Sequence, residues 1–167
     1  MRGYTGTLTP ETIRDCWQTP KVIYDNLDKE FHFVGDVAAS DSNHLHDNYL
    51  TEAENALSVN WSDHFGDGYK WCNPPYSDIG PWVEKAGNDR SVVMLIPADT
   101  SVKWARTAYN SADEIRLING RISFVRADTK EPQGGNNKGS MLVIWHPEKT
   151  GKCDISMITR DELMTVH

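Results

Sequence analysis

Apolar positions recur along this chain with two different periods. Val22, Ile23, Leu27 and Phe31 fall at helical spacing behind Thr19-Pro20, where Thr19 can cap and Pro20 fits a first turn. FHFVGDVAAS (31–40) then reads as a strand of mixed apolar residues, ending at Asp36 and the small residues Ala38, Ala39 and Ser40. Residues 41–60 are polar and only weakly helical, around Leu50 to Leu57. GYKWCNPP (68–75) is a second strand, stopped by its prolines, after which Ile79, Trp82, Val83 and Ala86 form one helix face. SVVMLIPA (91–98) is a continuous apolar run and predicts a parallel strand buried on both faces. A helix follows around Val102, Trp104, Ala105 and Ala108. EIRLING and RISFVR, split by Asn119-Gly120, predict two strands joined by a tight turn. After ADTKEPQGGNNKG (127–139) comes a last strand, SMLVIWHP.

Strands alternating with helices, two of them apolar enough for burial on both faces, predict an α/β fold: a three-layer, Rossmann-like sandwich on a mostly parallel sheet. Ligands of such sheets bind beyond the carboxyl ends of the strands. That places residues 36–40, 73–76 and 97–100 on one rim.

At 167 residues the chain is expected to be a single domain. No apolar run approaches a membrane span and MRGYTGTLTPETIRD lacks a signal-peptide core, so a soluble cytoplasmic protein is expected. Cys16, Cys72 and Cys153 are odd in number and far apart, as free thiols are. His44 and His46 form an H-x-H near Asp41 and Asp47, but no second ligand pair follows and no metal is expected. The net charge of −7 speaks against a nucleic-acid partner, yet its distribution changes the picture. Acids far outnumber Lys21 and Lys29 between Asp15 and Asp67, whereas Arg116, Arg121, Arg126, Lys130 and Lys138 dominate the segment from 116 to 138. The acidic half suits a small cation and the basic stretch suits phosphate; a solvated surface of uneven charge accounts for the same pattern.

Asn73-Pro74-Pro75-Tyr76 carries the sharpest chemistry. A residue before proline is pushed out of the helical region, so Asn73 and Pro74 are both held extended. The Asn73 amide oxygen and the Pro74 carbonyl are then able to converge on one amino group, with the Tyr76 ring as a platform for a flat base. An exocyclic amine such as that of adenine is a poor nucleophile because its lone pair is delocalised into the ring. Two acceptors binding both N–H bonds favour a pyramidal nitrogen whose lone pair points at an electrophile.

Asn73 to Tyr76 resembles the (D/N/S)PP(Y/F/W) motif of S-adenosyl-L-methionine-dependent amino methyltransferases. The wider order of DCWQTP, FVGDVAAS, ENALSVNW, WCNPPYS, IPADTSVKWA, INGRISFV and GSMLVIW, from about Asp15 to Pro147, resembles the phage-type, Dam-like DNA N6-adenine methyltransferases. The resemblance implies one compact class I methyltransferase domain over 1–167. It implies S-adenosyl-L-methionine as cofactor, double-stranded DNA as partner and action in the cytoplasm of a bacterial host. Asn73, Pro74, Pro75 and Tyr76 are then the catalytic residues, acting on a base turned out of the duplex.

S-adenosyl-L-methionine has a sulfonium and an ammonium but no phosphate, so a GxGxxG loop is unnecessary. Asp36 is the candidate for the ammonium, with Ala38 and Ser40 replacing the family's glycine-rich turn. Thr19 at a helix start is the candidate for the carboxylate, with Trp17 and Pro20 assigned beside it by resemblance; a plain cap with a packed tryptophan explains these residues equally well. Asn55 belongs to the segment that resembles the family's adenine contact, and Asn73 borders the cofactor too. Asp41, Glu52 and Glu54 are open candidates for the ribose. Arg121, Arg126, Lys130 and Lys138 are the candidate DNA contacts, and 127–139 the candidate target-recognition loop. Thr100, Lys103 and Trp104 follow a buried strand onto the rim. Alternatives are an amino methyltransferase acting on cytosine N4, RNA or protein glutamine, and a non-catalytic relative.

Overall fold

The apolar run at 91–98 forms the middle of the molecule. The structure, a computed structural model, describes residues 17–126, 132–133 and 138–167, with the backbone alone at 17, 132 and 133. Strands β2 (Gly35–Asp36), β3 (Lys70–Cys72), β4 (Val92–Pro97), β5 (Glu114–Asn119), β8 (Ser140–Trp145) and β9 (Asp154–Thr159) build a six-stranded sheet in the order β2-β3-β4-β8-β5-β9. β8 runs antiparallel to both its neighbours, and every other pairing is parallel. A second, three-stranded sheet has the order β1-β6-β7, from β1 (Trp17–Gln18), β6 (Phe124–Arg126) and β7 (Pro132–Gln133).

Alternation along β4 and β8 divides the core. Val92, Met94, Ile96, Val143 and Trp145 face one hydrophobic cluster, which takes in Trp82, Val83 and Ala86 of helix α3 (Gly80–Asp89) and Ala108 of helix α4 (Lys103–Ser111). Val93, Leu95, Leu142 and Ile144 face the other, built on Ile23, Tyr24, Leu27 and Phe31 of helix α1 (Lys21–Phe31) and Leu163 of helix α5 (Arg160–Met164). Both faces of the central strands are therefore buried, which is why that sequence shows no polar alternation. Gly35 leaves room on β2 for the short helix α2 (Trp61–Phe65): a Cβ there would lie 2.2 Å from the Phe65 ring.

Several expectations change. Pro20, not Thr19, occupies the α1 cap position, and no side chain caps that helix. The weakly helical stretch is two 3-10 turns, Glu52–Glu54 and Ala56–Ser58, joined at Asn55, whose φ of 51° is a left-handed conformation that asparagine tolerates. The turn at Asn119-Gly120 is real, with Gly120 at φ 102°, but the strands it separates do not pair with each other. Both edges of β5 are taken by β8 and β9, and β6 pairs with β1 and β7. β9 and α5 were not expected from the sequence, because nearly every residue of β9 is exposed and no apolar face announces it.

Candidate active site

The rim at the carboxyl ends of β2, β3 and β4 is where the predicted chemistry converges. Val37 N donates to Trp71 O at 3.0 Å, so the chains leaving β2 and β3 run side by side into Ala38 and Asn73. Between them opens a cleft of about 590 Å³, a size suited to a small-molecule ligand. Small residues, Ala38, Ala39, Ser40, Ala53 and Ala56, let a ligand approach the backbone closely. Asn55, Asn73 and Pro75 also line it. Its charged lining is Asp41, Glu52 and Asp78, with no lysine or arginine among the described lining residues, so a cation is favoured over an anion.

Asp36 sits beneath this wall and is not part of the lining. It is 2 % exposed and organises the loop above: Oδ1 accepts from Ala38 N at 3.3 Å and Oδ2 from Leu45 N at 3.0 Å. Burial raises its carboxyl from 3.8 to about 6, against the lowering effect of those two amides and of His44. The sign of the linkage follows. Because the folded value lies above the unfolded one, the native state binds the extra proton, and stability falls as pH rises from about 4 to about 6. Asp99, lowered to about 2 by hydrogen bonds from Ser101 and Lys138, works in the opposite sense, and its contribution is complete above about pH 4. Asp36→Asn is expected to abolish the decline between pH 4 and 6, on the order of 3 kcal/mol in the parent, in urea unfolding measured across that range.

The Asn73 to Tyr76 segment leaves β3 at the same rim. Asn73 Oδ1 is shielded from solvent, Pro74 is buried, and Pro75 O accepts from Asp78 N at 3.2 Å to turn the chain. Tyr76 is half-buried; its hydroxyl donates to Leu95 O on β4 at 3.1 Å and its ring meets Phe124 of β6 edge-on at 5.9 Å. Burial pushes the phenol above its ordinary range, so it stays protonated and keeps that anchor. Cys72 beside it is fully buried and its thiol is also pushed up, which makes it inert packing.

The flanking candidates fall into place unevenly. Trp17 pairs through its backbone with Arg126, and Gln18 Nε2 donates to Asn43 O at 3.1 Å, fastening β1 to the rim loop. Thr19 next to it is 1 % exposed, and its Oγ1 has no hydrogen-bond partner among the described residues. Pro20 O accepts from Ile23 N and Tyr24 N to start α1. Of the ribose candidates, Asp41 accepts from Tyr49 OH at 2.6 Å and Glu54 closes a capping box with Thr51, whereas Glu52 lines the cleft. His44 stacks on Tyr49 at 4.1 Å and His46 Nδ1 accepts from Asn48 N, so both rings serve the loop; among the described residues no His, Cys, Asp or Glu group of three or more is arranged to hold a metal.

Arg121 is exposed just beyond the carboxyl end of β5, which parallels β2 to β4, and so shares the active rim. Arg126 is half-buried on β6. Lys138 pairs with Asp99 at 2.9 Å, which balances its charge within the protein. Lys130 and most of 127–139 lie outside the described residues. Thr100 and Lys103 are exposed on the rim, while Trp104 packs against the core. Sequence reasoning missed Ser77, Asp78 and Trp82 of the lining, and Arg160, whose Nη1 donates to Arg121 O at 3.0 Å beside Gly120. The turn residues after Tyr76 were the available signal for the first two. Among the described residues no helix is long and apolar enough to cross a membrane.

The geometry can be set beside known proteins. The family model described as DNA N-6-adenine-methyltransferase (Dam) matches residues 6–166. A DNA N-6-adenine-methyltransferase of Escherichia phage T1 is 32 % identical over 90 % of this chain and 71 % of its own length. One of Haemophilus phage HP1 is 34 % identical over 86 % of each chain. No solved structure matches. A family match from residue 6 to residue 166, with relatives at this identity, makes the chain a member of the DNA N-6-adenine-methyltransferase (Dam) family.

Proposed function

We propose that this chain is an adenine-specific DNA methyltransferase that uses S-adenosyl-L-methionine and works on a base rotated out of double-stranded DNA. The observation that carries the reading is that Asn73 and Pro75 of the NPPY segment line the same acidic, small-residue-walled cleft as Ala38, Ser40 and Asn55. The domain is read as one compact Rossmann-like sandwich over 1–167, supported by the two hydrophobic clusters on opposite faces of the central strands. Similarity to phage proteins supports action in a bacterial cytoplasm.

S-adenosyl-L-methionine fits the residues present. Its cationic character suits a cleft bearing Asp41, Glu52 and Asp78, and the buried, unpartnered Thr19 hydroxyl is a donor suited to its carboxylate. Glu52 is the best placed of the three ribose candidates, since Asp41 and Glu54 are engaged within the loop. Trp17 and Pro20 fix the approach to Thr19, and Asp36 serves the ammonium from below while it holds the loop at Ala38 and Leu45. When bound, the cofactor supplies an electrophilic methyl group and departs as a neutral thioether.

The chain's own residues prepare the nucleophile. Asn73 Oδ1 and the Pro74 carbonyl accept the two N–H bonds of adenine N6, and Tyr76 stacks on the ring, its edge fixed by Leu95 and Phe124. Held this way, N6 loses conjugation with the ring and its lone pair faces the methyl carbon. The N–C bond forms as the S–C bond breaks, and the surplus N6 proton leaves afterwards to water from the acceptor side. Rotation of the base costs a few kcal/mol, offset by stacking and phosphate contacts.

Arg121 and Arg126, with Lys130 and Lys138 beside the recognition segment 127–139, are assigned to the DNA backbone. Arg121→Ala is expected to raise KM for DNA several-fold, leave kcat within about twofold, and reduce the salt-dependence slope by about one unit. Steady-state kinetics over a salt series checks this. The function itself is tested by methyl-tritium transfer to duplex DNA, single-stranded DNA, RNA and protein in parallel. Incorporation is expected in duplex DNA, and label confined to RNA or protein would overturn the proposal.

A further inference from the structure

Two hydroxyls on the α1 side of the rim are buried without a hydrogen-bond partner among the described residues: Thr19 Oγ1 and Tyr24 OH. Thr19 was legible from the sequence as a site residue. Tyr24 was not, because it lies on the apolar face of α1 between Ile23 and Leu27. A buried hydroxyl left unsatisfied costs free energy that a phenylalanine would avoid, so a tyrosine at such a position needs a reason.

Its surroundings supply one. The Tyr24 ring is stacked on Phe33 at 5.2 Å and meets Trp71 edge-on at 5.8 Å, so its position is fixed by packing. Trp71 is the register partner of Asp36 on the adjacent parallel strand, and register partners point to the same face of a sheet. The Asp36 side chain therefore lies on the α1 face with Tyr24, which also explains why Asp36 is absent from the lining of the cleft. Burial, then the field of Asp28 and Asp36, with Asp25 and Asp47 behind them, keeps the phenol protonated and hence a donor. Asp36 spends one lone pair of each oxygen on the Ala38 and Leu45 amides, and a carboxylate has about four such sites. Two hydroxyl donors beside a carboxylate with spare acceptor capacity complement an α-amino-acid zwitterion. Gln18, the neighbour of Thr19, is fastened to Asn43 of the rim loop, which holds this group at the rim.

We infer that Tyr24 donates its hydroxyl to the α-carboxylate of the cofactor's amino-acid moiety, as a second donor beside Thr19, and so makes the site select nucleosides that carry an intact amino-acid group. This rests on the cofactor reading given above. Tyr24→Phe keeps the ring and its packing, so it isolates the hydroxyl.

The test is calorimetric binding of S-adenosylhomocysteine and of 5′-methylthioadenosine, which keeps the nucleoside and thioether but lacks the amino-acid group. Tyr24→Phe is expected to weaken S-adenosylhomocysteine about tenfold or more and to leave 5′-methylthioadenosine unchanged. The thermal midpoint of the ligand-free variant is expected to match or exceed that of the parent, since an unsatisfied hydroxyl has been removed. An equal loss for both ligands, or no loss for S-adenosylhomocysteine, overturns the inference while the cofactor reading stands. A parent protein that binds neither ligand overturns the cofactor reading and the inference with it.

Discussion

Asn73→Ala is expected to slow methyl transfer by about 10²–10³-fold, the scale on which removal of one preorganised polar group aimed at a reacting centre is felt. The loss should appear in single-turnover rates at saturating DNA and cofactor, because the amide oxygen acts on the developing lone pair of N6. Affinity for S-adenosylhomocysteine should change little, since most of the cleft, from Ala38 to Leu57, is contributed by other segments. Asn73→Asp sharpens the expectation: a carboxylate oxygen still accepts, so this variant should retain far more activity than the alanine. Equal rates for Asn73→Ala and the parent would remove the amide from the mechanism.

Tyr76→Ala is the second large effect. Base–aromatic stacking is worth about 1–3 kcal/mol per base, so the loss of the ring alone predicts a drop of about 5- to 150-fold in kcat/KM for DNA. The alanine also forfeits the hydrogen bond to Leu95 O and the edge-on contact with Phe124, which join the NPPY segment to β4 and to the small sheet. Tyr76→Phe separates the two contributions. It keeps the stacking face and loses only the anchor, a neutral hydrogen bond worth about 1 kcal/mol, so activity within about tenfold of the parent is expected. If the phenylalanine is as impaired as the alanine, the hydroxyl takes part in chemistry and the stacking role is wrong.

What could be read from the sequence follows from how local the signal is. Val92 to Ile96 announced a buried central strand because apolar residues on both faces leave no polar alternation, and all five are fully buried. Ile23, Leu27 and Phe31 announced α1 for the same reason at helical spacing. β9 escaped because it is an edge strand with Ile155 and Met157 exposed, held by pairing to β5 rather than by an apolar face. The Asn119-Gly120 signal gave a true turn but a false hairpin, since a turn residue reports backbone conformation and not which strand pairs with which.

The site divides along the same line. Asn73 to Tyr76 was legible because the chemistry lies in four consecutive residues, and Ala38 and Ser40 because small residues mark close approach. Lys138 looked like a free phosphate contact, and only the fold brings Asp99, 39 positions earlier, to within 2.9 Å of it. Asp36 was correctly singled out as a strand-end acid, but its hold on the Leu45 amide, nine residues on, is a property of the folded loop. Tyr24 was silent because an aromatic residue on an apolar helix face is packing until its hydroxyl is found without a partner.

The central claim is that this rim places a methyl group on adenine N6 of DNA. The most direct test incubates unmethylated plasmid DNA with purified protein and S-adenosyl-L-methionine bearing a deuterated methyl group, then digests the DNA to nucleosides for mass spectrometry. The account predicts the label in N6-methyldeoxyadenosine and its loss with Asn73→Ala. Label in N4-methyldeoxycytidine, or none in any nucleoside from a protein that binds S-adenosylhomocysteine, would contradict it.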